Sequence, residues 1–233
     1  MNFQGCINLD KIIPSCLVIS RYSEDFSWAE EYTHMFLILN RGEEIHDYRE
    51  GWKILNVPNV GGNQKDIFEY IYDNYNSLDK LTAFVQGYPF DHCKKEIFDK
   101  LIYNDYFTPL EYYGSNPANA FENRSSDGGF MELNNSWYIP AHNGTYGLTC
   151  RYSSFDEFMY KYFKNYQHMD WIRFTPGSQY IVEKNQIIKY PRKFWKYLSN
   201  ELQGLRPTEG HIIERALYTI FTGNLELREE FYD

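Results

Sequence analysis

The 233-residue chain is 43% hydrophobic with a formal net charge of −9, apolar enough for one core and too acidic for a nucleic-acid groove or an anionic membrane surface. It has no run of about 18 apolar residues to span a bilayer, no amino-terminal secretory pattern, and four cysteines without CxxC spacing, so a reducing, cytoplasmic setting is expected. Its 22 Tyr and 17 Phe supply aromatic planes with polar tips, which suit stacking on sugars or bases.

In chain order, Cys16-Leu17-Val18-Ile19-Ser20 is a short apolar run that ends in the polar cluster Arg21-Tyr22-Ser23-Glu24-Asp25, and Phe26 to Tyr32 reads as a helix. His34 to Asn40 is a second strand closed by Asn40-Arg41-Gly42, and Trp52 to Val57 is a third. Asn59-Val60-Gly61-Gly62-Asn63 turns into a helix from Gln64 to about Tyr75, where Ile67, Phe68, Ile71, Tyr72 and Tyr75 recur at helical spacing. Leu81 to Val85 is a fourth strand, followed by a helix beginning near Lys94. From Asn104 to His142 the pattern dissolves into Tyr, Pro, Gly and Asn. Regularity returns with a helix at Phe155 to Tyr166, a strand at Gln179 to Val182, and helices at Pro191 to Leu202 and His211 to Phe221. Strands alternating with helices at these intervals predict a single α/β domain, with a mostly parallel, Rossmann-like sheet flanked by helices and an irregular second half.

Gln86-Gly87-Tyr88-Pro89-Phe90-Asp91-His92 stands at the carboxyl end of the fourth strand, where open α/β sheets bind ligands. Gly87 permits backbone conformations that a Cβ forbids, and Pro89 fixes the turn. Asp91 and His92 offer an oxygen and a nitrogen to one cation, or Asp91 simply caps the next helix.

The order of these pieces resembles the nucleotide half of GT-A glycosyltransferases, in which a strand-end acidic motif binds a divalent ion. More closely, the chain resembles an uncharacterised family whose members read ARYNEDLxW, NxGREAxTYLxHI, QGHPFDH, SGAQFxV and ERLWxxIF; the corresponding stretches here are SRYSEDFSW, NVGGNQKDIFEYI, QGYPFDH, PGSQYIV and ERALYTIF. The resemblance spans roughly residues 16 to 221. It implies a GT-A-like domain with a nucleotide-binding half at about 16–103 and an acceptor-side half at about 104–233. Two departures stand out: the DxD pair is absent, leaving Asp91 as the sole carboxylate of the central motif, and Gly62-Asn63-Gln64 replaces Arg-Glu-Ala.

The implied activity is transfer of a sugar from a nucleoside-diphosphate sugar, UDP- or GDP-linked, to a carbohydrate or glycoconjugate acceptor. Asp91 and His92 would hold Mn²⁺ or Mg²⁺, with His92 favouring manganese. Arg21, Tyr22, Glu24, Asp25, Asn40, Gly61, Gln86 and Gly87 would form the nucleotide site, although an Arg21 that merely orders its loop is the plainer reading. Trp137, Trp171, Gly177 and Gln179 would serve the acceptor, with Tyr138 and Tyr146 as further stacking candidates. Glu214 would be the base that takes the acceptor proton, against a plain ion pair with Arg215 or Arg192; Asp127 and Asp170 stand in reserve. Tyr112 to Tyr146 would be a mobile acceptor-side lid. Two other readings remain open: a non-catalytic glycan- or nucleotide-binding protein of the same fold, and a metal-dependent phosphoester hydrolase.

Overall fold

The computed structural model of the chain describes residues 14–33, 35–46, 49–111, 120–121 and 130–232, with backbone alone at 120, 121 and 130. The first half alternates as expected. It comprises β1 (Cys16–Arg21), β2 (Phe36–Asn40), β3 (Trp52–Asn56), α1 (Gly62–Asn74), β4 (Leu81–Gln86) and α2 (Lys95–Leu101). The second half adds β5 (Thr108–Pro109), β6 (Ala120–Phe121), β7 (Phe130–Leu133), α3 (Tyr138–His142), α4 (Phe155–Tyr162) and β8 (Trp171–Phe174). It closes with β9 (Tyr180–Glu183), α5 (Lys184–Ile188), α6 (Arg192–Glu201) and α7 (Glu209–Thr222).

Six strands form one sheet in the order β3-β2-β1-β4-β9-β5. β1 lies parallel between β2 and β4, and β3 continues the parallel set beyond β2. β9 departs from the expected direction, and β5 is a strand in a stretch expected to be irregular. β9 runs antiparallel to β4 with Phe84 opposite Tyr180, so the turn that precedes it, Pro176–Ser178, arrives beside the carboxyl end of β4. β5 is antiparallel to β9. The chain is thus an α/β protein with a mostly parallel six-stranded sheet, compatible with a Rossmann-like fold.

Strand side chains alternate between faces, so a sheet covered on both sides needs apolar residues at consecutive positions. Val18, Leu39, Phe84 and Val182 accordingly join a large core with α1, α4, α6 and α7. Leu17, Ile19, Ala83 and Val85 join a smaller one with Trp28, Phe98 and Leu101 on the opposite face. Many of the abundant aromatics serve these cores rather than a stacking surface. Trp195 is fully buried and stacks on Phe221 at 5.4 Å, and Phe107, Tyr180, Tyr190 and Phe194 surround the pair.

Several elements differ from their sequence expectation. The helix expected at Phe26–Tyr32 is a short 3-10 helix, Ser27–Glu31, and α4 stops at Tyr162 rather than Tyr166. The four-residue β8 carried no legible period, yet it pairs with β7 in a separate three-stranded sheet behind α7. Of the expected lid, residues 112–119 and 122–129 lie outside the described residues, as does Asp127; from Phe130 onward the segment forms β7 and α3. Among the described residues no helix is long and apolar enough to cross a membrane.

Candidate functional site

In a 3-2-1-4 strand order, connections diverge on either side of the β1/β4 boundary, which leaves a crevice outside the carboxyl ends of those two strands. A cavity of about 670 Å³ occupies this place. Well-separated stretches of sequence converge on it. Tyr22 and Glu24 come from the loop after β1, Gly61 to Gln64 from the start of α1, Gln86 and His92 from the end of β4, and His211 and Glu214 from α7.

The loop after β1 is ordered by polar contacts to the backbone. Arg21 donates from Nε to the carbonyl of Glu24 at 3.0 Å and from a terminal nitrogen to Asn40 Oδ1 at 2.7 Å. Asn40 in turn donates to the carbonyl of Glu43 and to Asn56 Oδ1, both at 3.0 Å. Arg21 and Asn40 therefore sit behind the cavity wall as loop organisers. Glu24 accepts from the backbone N–H groups of Tyr22 and Ser23 at 2.7 and 3.0 Å, and it packs against Gly87, whose carbonyl accepts from the Trp28 indole at 2.7 Å. Asp25 is exposed and accepts from the backbone N–H and the hydroxyl of Ser27.

The start of α1 is a second fixed wall. Gly61 adopts φ +74°, and a Cβ there would lie 2.8 Å from the Leu202 carbonyl, so the turn requires glycine. Helix geometry leaves the N–H groups of Gly62, Asn63 and Gln64 without intrahelical acceptors at the cavity wall. The Gln64 amide donates to Ser178 Oγ and to the Gly210 carbonyl, each at 2.8 Å, which ties α1 to the turn before β9 and to α7.

Among the described residues, Arg41 and Arg206 bring positive charge to the cavity. Arg41 is held by buried Asp66, Nε to Oδ2 at 2.9 Å, and Asp66 also accepts from Ser20 Oγ. Burial pushes the Asp66 carboxyl up to about 7, and the Arg41 guanidinium opposes that rise. On the far rim Arg206 lies 5.1 Å from the centre of the exposed Tyr146 ring.

The floor is built by the end of β4 and the turn before β9. Gln86 donates from its side chain to the Gly177 carbonyl at 2.9 Å and from its backbone to Gln179 Oε1 at 3.1 Å. Gly177 and Gln179 are buried behind this floor and line no part of the cavity. His92 does line it, with Nδ1 3.6 Å from Oε1 of Glu111, a residue of zero exposure. Burial pushes the Glu111 carboxyl up to about 8, and that carboxylate holds the His92 imidazole above its ordinary value. Glu214 reaches the same cavity from α7. Its neighbour is His211 at 3.9 Å, whereas Arg215 is buried against Glu132 at 2.7 Å and Arg192 donates to the Tyr72 carbonyl.

Of the remaining expected residues, Asp91 is exposed at the end of the one-turn helix Pro89–Asp91 and is not part of the cavity wall. Trp137 and Trp171 also lie off it; Trp137 donates its indole N–H to Glu132. Asp170 is exposed beside His168 at 3.4 Å. Sequence reasoning missed Arg41, Asp66, Arg206 and Glu111. Arg41 alone carried a signal, as the middle residue of the Asn40-Arg41-Gly42 strand ending. No family model, curated protein or solved structure matches the chain.

Proposed function

We propose that the protein is a GT-A-like glycosyltransferase that uses a nucleoside-diphosphate sugar, UDP- or GDP-linked, to glycosylate a carbohydrate acceptor. The observation that carries this reading is convergence: four motifs separated by up to about 190 residues, on which the sequence resemblance rests, meet at one crevice at the carboxyl ends of β1 and β4. The chemistry of the lining agrees. Tyr22 offers a half-exposed ring for a base, and the first turn of α1 with Arg41 offers N–H donors and positive charge for a diphosphate. Glu214 is a carboxylate on the opposite wall, free of Arg215, and is suited to take the proton of an acceptor hydroxyl.

The resemblance also implies a divalent ion. The residues expected to hold it do not fit a shared site, because His92 faces the cavity while Asp91 does not line it. No step is therefore derived through such an ion. A nucleotide- or glycan-binding protein of the same fold is the second reading, favoured by the same position of Asp91. Both readings are separated by one experiment. Thermal shifts with UDP, GDP and their sugar conjugates, with and without Mn²⁺, report donor binding; release of nucleoside diphosphate in the presence of an acceptor panel reports turnover. Binding with turnover supports the transferase, binding without turnover supports a nucleotide-binding protein, and absence of any shift contradicts both of these, leaving glycan binding to be read from shifts with the acceptor panel.

A further inference from the structure

Among the described residues, Glu111 is a buried carboxylate with both oxygens unpartnered. Its side chain has no exposure, and neither carboxylate oxygen has a hydrogen-bond partner among the described residues. A carboxylate taken from water without compensation is costly, so such a group signals a partner or a task. The pairing of β5 with β9 fixes its place: the Leu110 N–H donates to the Gln179 carbonyl at 2.8 Å, and Glu111 follows directly. Among the described residues the basic side chain that faces it is His92, at 3.6 Å from Oε1 to Nδ1.

The His92 ring is confined on its other side as well. Gly177 has φ +67°, and a Cβ there would come 3.3 Å from His92 Cδ2 and 2.9 Å from Gln86 Nε2. Glycine at 177 thus leaves the space that His92 and Gln86 fill. With Nδ1 turned to Glu111, the ring keeps Nε2 for the cavity that it lines.

Resting on the donor-site reading above, we infer that Glu111 is a positioning residue that holds His92 as the imidazolium with Nδ1–H directed at its carboxylate, so that His92 Nε2–H donates to the departing diphosphate. His92 is then a catalytic residue that the carboxylate behind it orients. In the transfer step, the bond from the sugar C1 to the diphosphate oxygen breaks and its electron pair leaves with the diphosphate. The acceptor oxygen bonds to C1 and its proton passes to Glu214. His92 keeps its proton and stabilises the negative charge that develops on the leaving oxygen, as donors aimed at developing charge do. The arrangement gives opposite duties to the two sides of the floor: a donor at the end of β4 and a base on α7. It also gives His92 a role that does not require Asp91 to reach the cavity.

The test uses the full chain with selectively ¹⁵N-labelled histidine, and UDP and UMP as probes. Long-range ¹H–¹⁵N spectra of the free protein should show His92 protonated at both Nδ1 and Nε2, with that state altered in Glu111→Gln and the His142 and His211 signals unmoved. In calorimetry, His92→Gln and Glu111→Gln should each weaken UDP roughly tenfold or more, the size of a lost charge-assisted hydrogen bond, while UMP affinity changes little. Glu111→Gln conserves volume, and the half-buried His92→Gln gives the same readout if the first variant folds poorly. An unchanged His92 ring state in Glu111→Gln overturns the positioning role. Wild-type UDP binding that both variants match overturns the assignment alone. Failure of the wild type to bind any nucleoside diphosphate overturns the donor-site reading and this assignment with it.

Discussion

On and behind the strand-end wall of the cavity, Gln64 and Gln86, with Arg21 and Asn40 in support, direct their side chains into hydrogen bonds with the surrounding framework, whereas across the crevice Tyr146 and Leu205 are more than half exposed and Arg206 lies over a ring. The first wall is over-determined by contacts between segments as far apart as β1, β2, α1 and the turn before β9. The second is a rim with few internal constraints. Under the proposed function, the rigid wall would hold the constant part of the substrate, the nucleotide and diphosphate. The rim would meet the variable part, the acceptor, with side chains that are free to adapt. Substitutions on the first wall should therefore cost stability, and substitutions on the rim should cost function alone.

The largest expected effect is chemical. Glu214→Gln keeps the shape of the side chain and removes its basicity, so kcat should fall by roughly 10² or more while UDP affinity by calorimetry stays near wild type. Turnover close to wild type would move the base elsewhere. Next in size is the backbone of the rigid wall. Gly61→Ala must hold a Cβ at φ +74° against the Leu202 carbonyl, and should lower the unfolding free energy by about 1–3 kcal/mol in urea. Leu205→Ala, on the exposed rim, should stay within about 0.5 kcal/mol of wild type in the same measurement. Equal losses in the two variants would erase the contrast between the walls.

The rigid wall should also carry a pH signature. Burial raises the carboxyls of Asp66 and Glu111 to about 7 and about 8, and Glu111 raises His92. Each of these groups binds its proton more tightly in the folded chain than in the unfolded one. Their contribution to stability is thus full below the ordinary carboxylate range, for His92 below its ordinary value, and is lost as pH rises through the folded values. Depressed carboxylates such as Glu201 act in the opposite sense and at more acid pH. Urea midpoints of wild type should fall between about pH 5 and pH 8. Glu111→Gln, which has no charge to bury, should flatten that fall and gain on wild type at the alkaline end. Parallel profiles would mean that Glu111 does not titrate in this window.

The smallest effect belongs to the rim. Tyr146→Ala should leave the melting temperature unchanged and raise the acceptor KM a few-fold, in line with about 0.5–1.5 kcal/mol for an aromatic contact. No change in KM would remove Tyr146 from the acceptor site.

What was legible in the sequence divides along the same line. β1, β2, β3 and β4 are uninterrupted apolar or alternating runs, and α1 and α7 carry a clear helical period, so local pattern alone places the carboxyl strand ends and the motifs on them. Tyr22, Glu24, Gly61, Gln86, His92 and Glu214 do meet at one cavity. The partners that hold them were not legible, because nothing local marks them. Glu111 is a lone carboxylate after Pro109-Leu110 in an irregular stretch, and only the β5–β9 pairing carries it behind His92. Asp66 reads as one more polar position on α1 until Arg41 and Ser20 are found beside it. The direction of β9 was illegible for a related reason: a four-residue apolar strand fits either orientation, and the choice is made by where its preceding turn must pack. The same non-local pairing sends Gly177 and Gln179 behind the floor, where they support Gln86 instead of lining the cavity.

A crystal structure of the protein soaked with UDP in the presence of Mn²⁺ tests the donor-site reading most directly. The base should lie against Tyr22, with the diphosphate between the first turn of α1 and Arg41 and its terminal phosphate within hydrogen-bond reach of His92 Nε2. A diphosphate bound away from the carboxyl ends of β1 and β4, or a crevice left empty by a ligand that binds in solution, would contradict it.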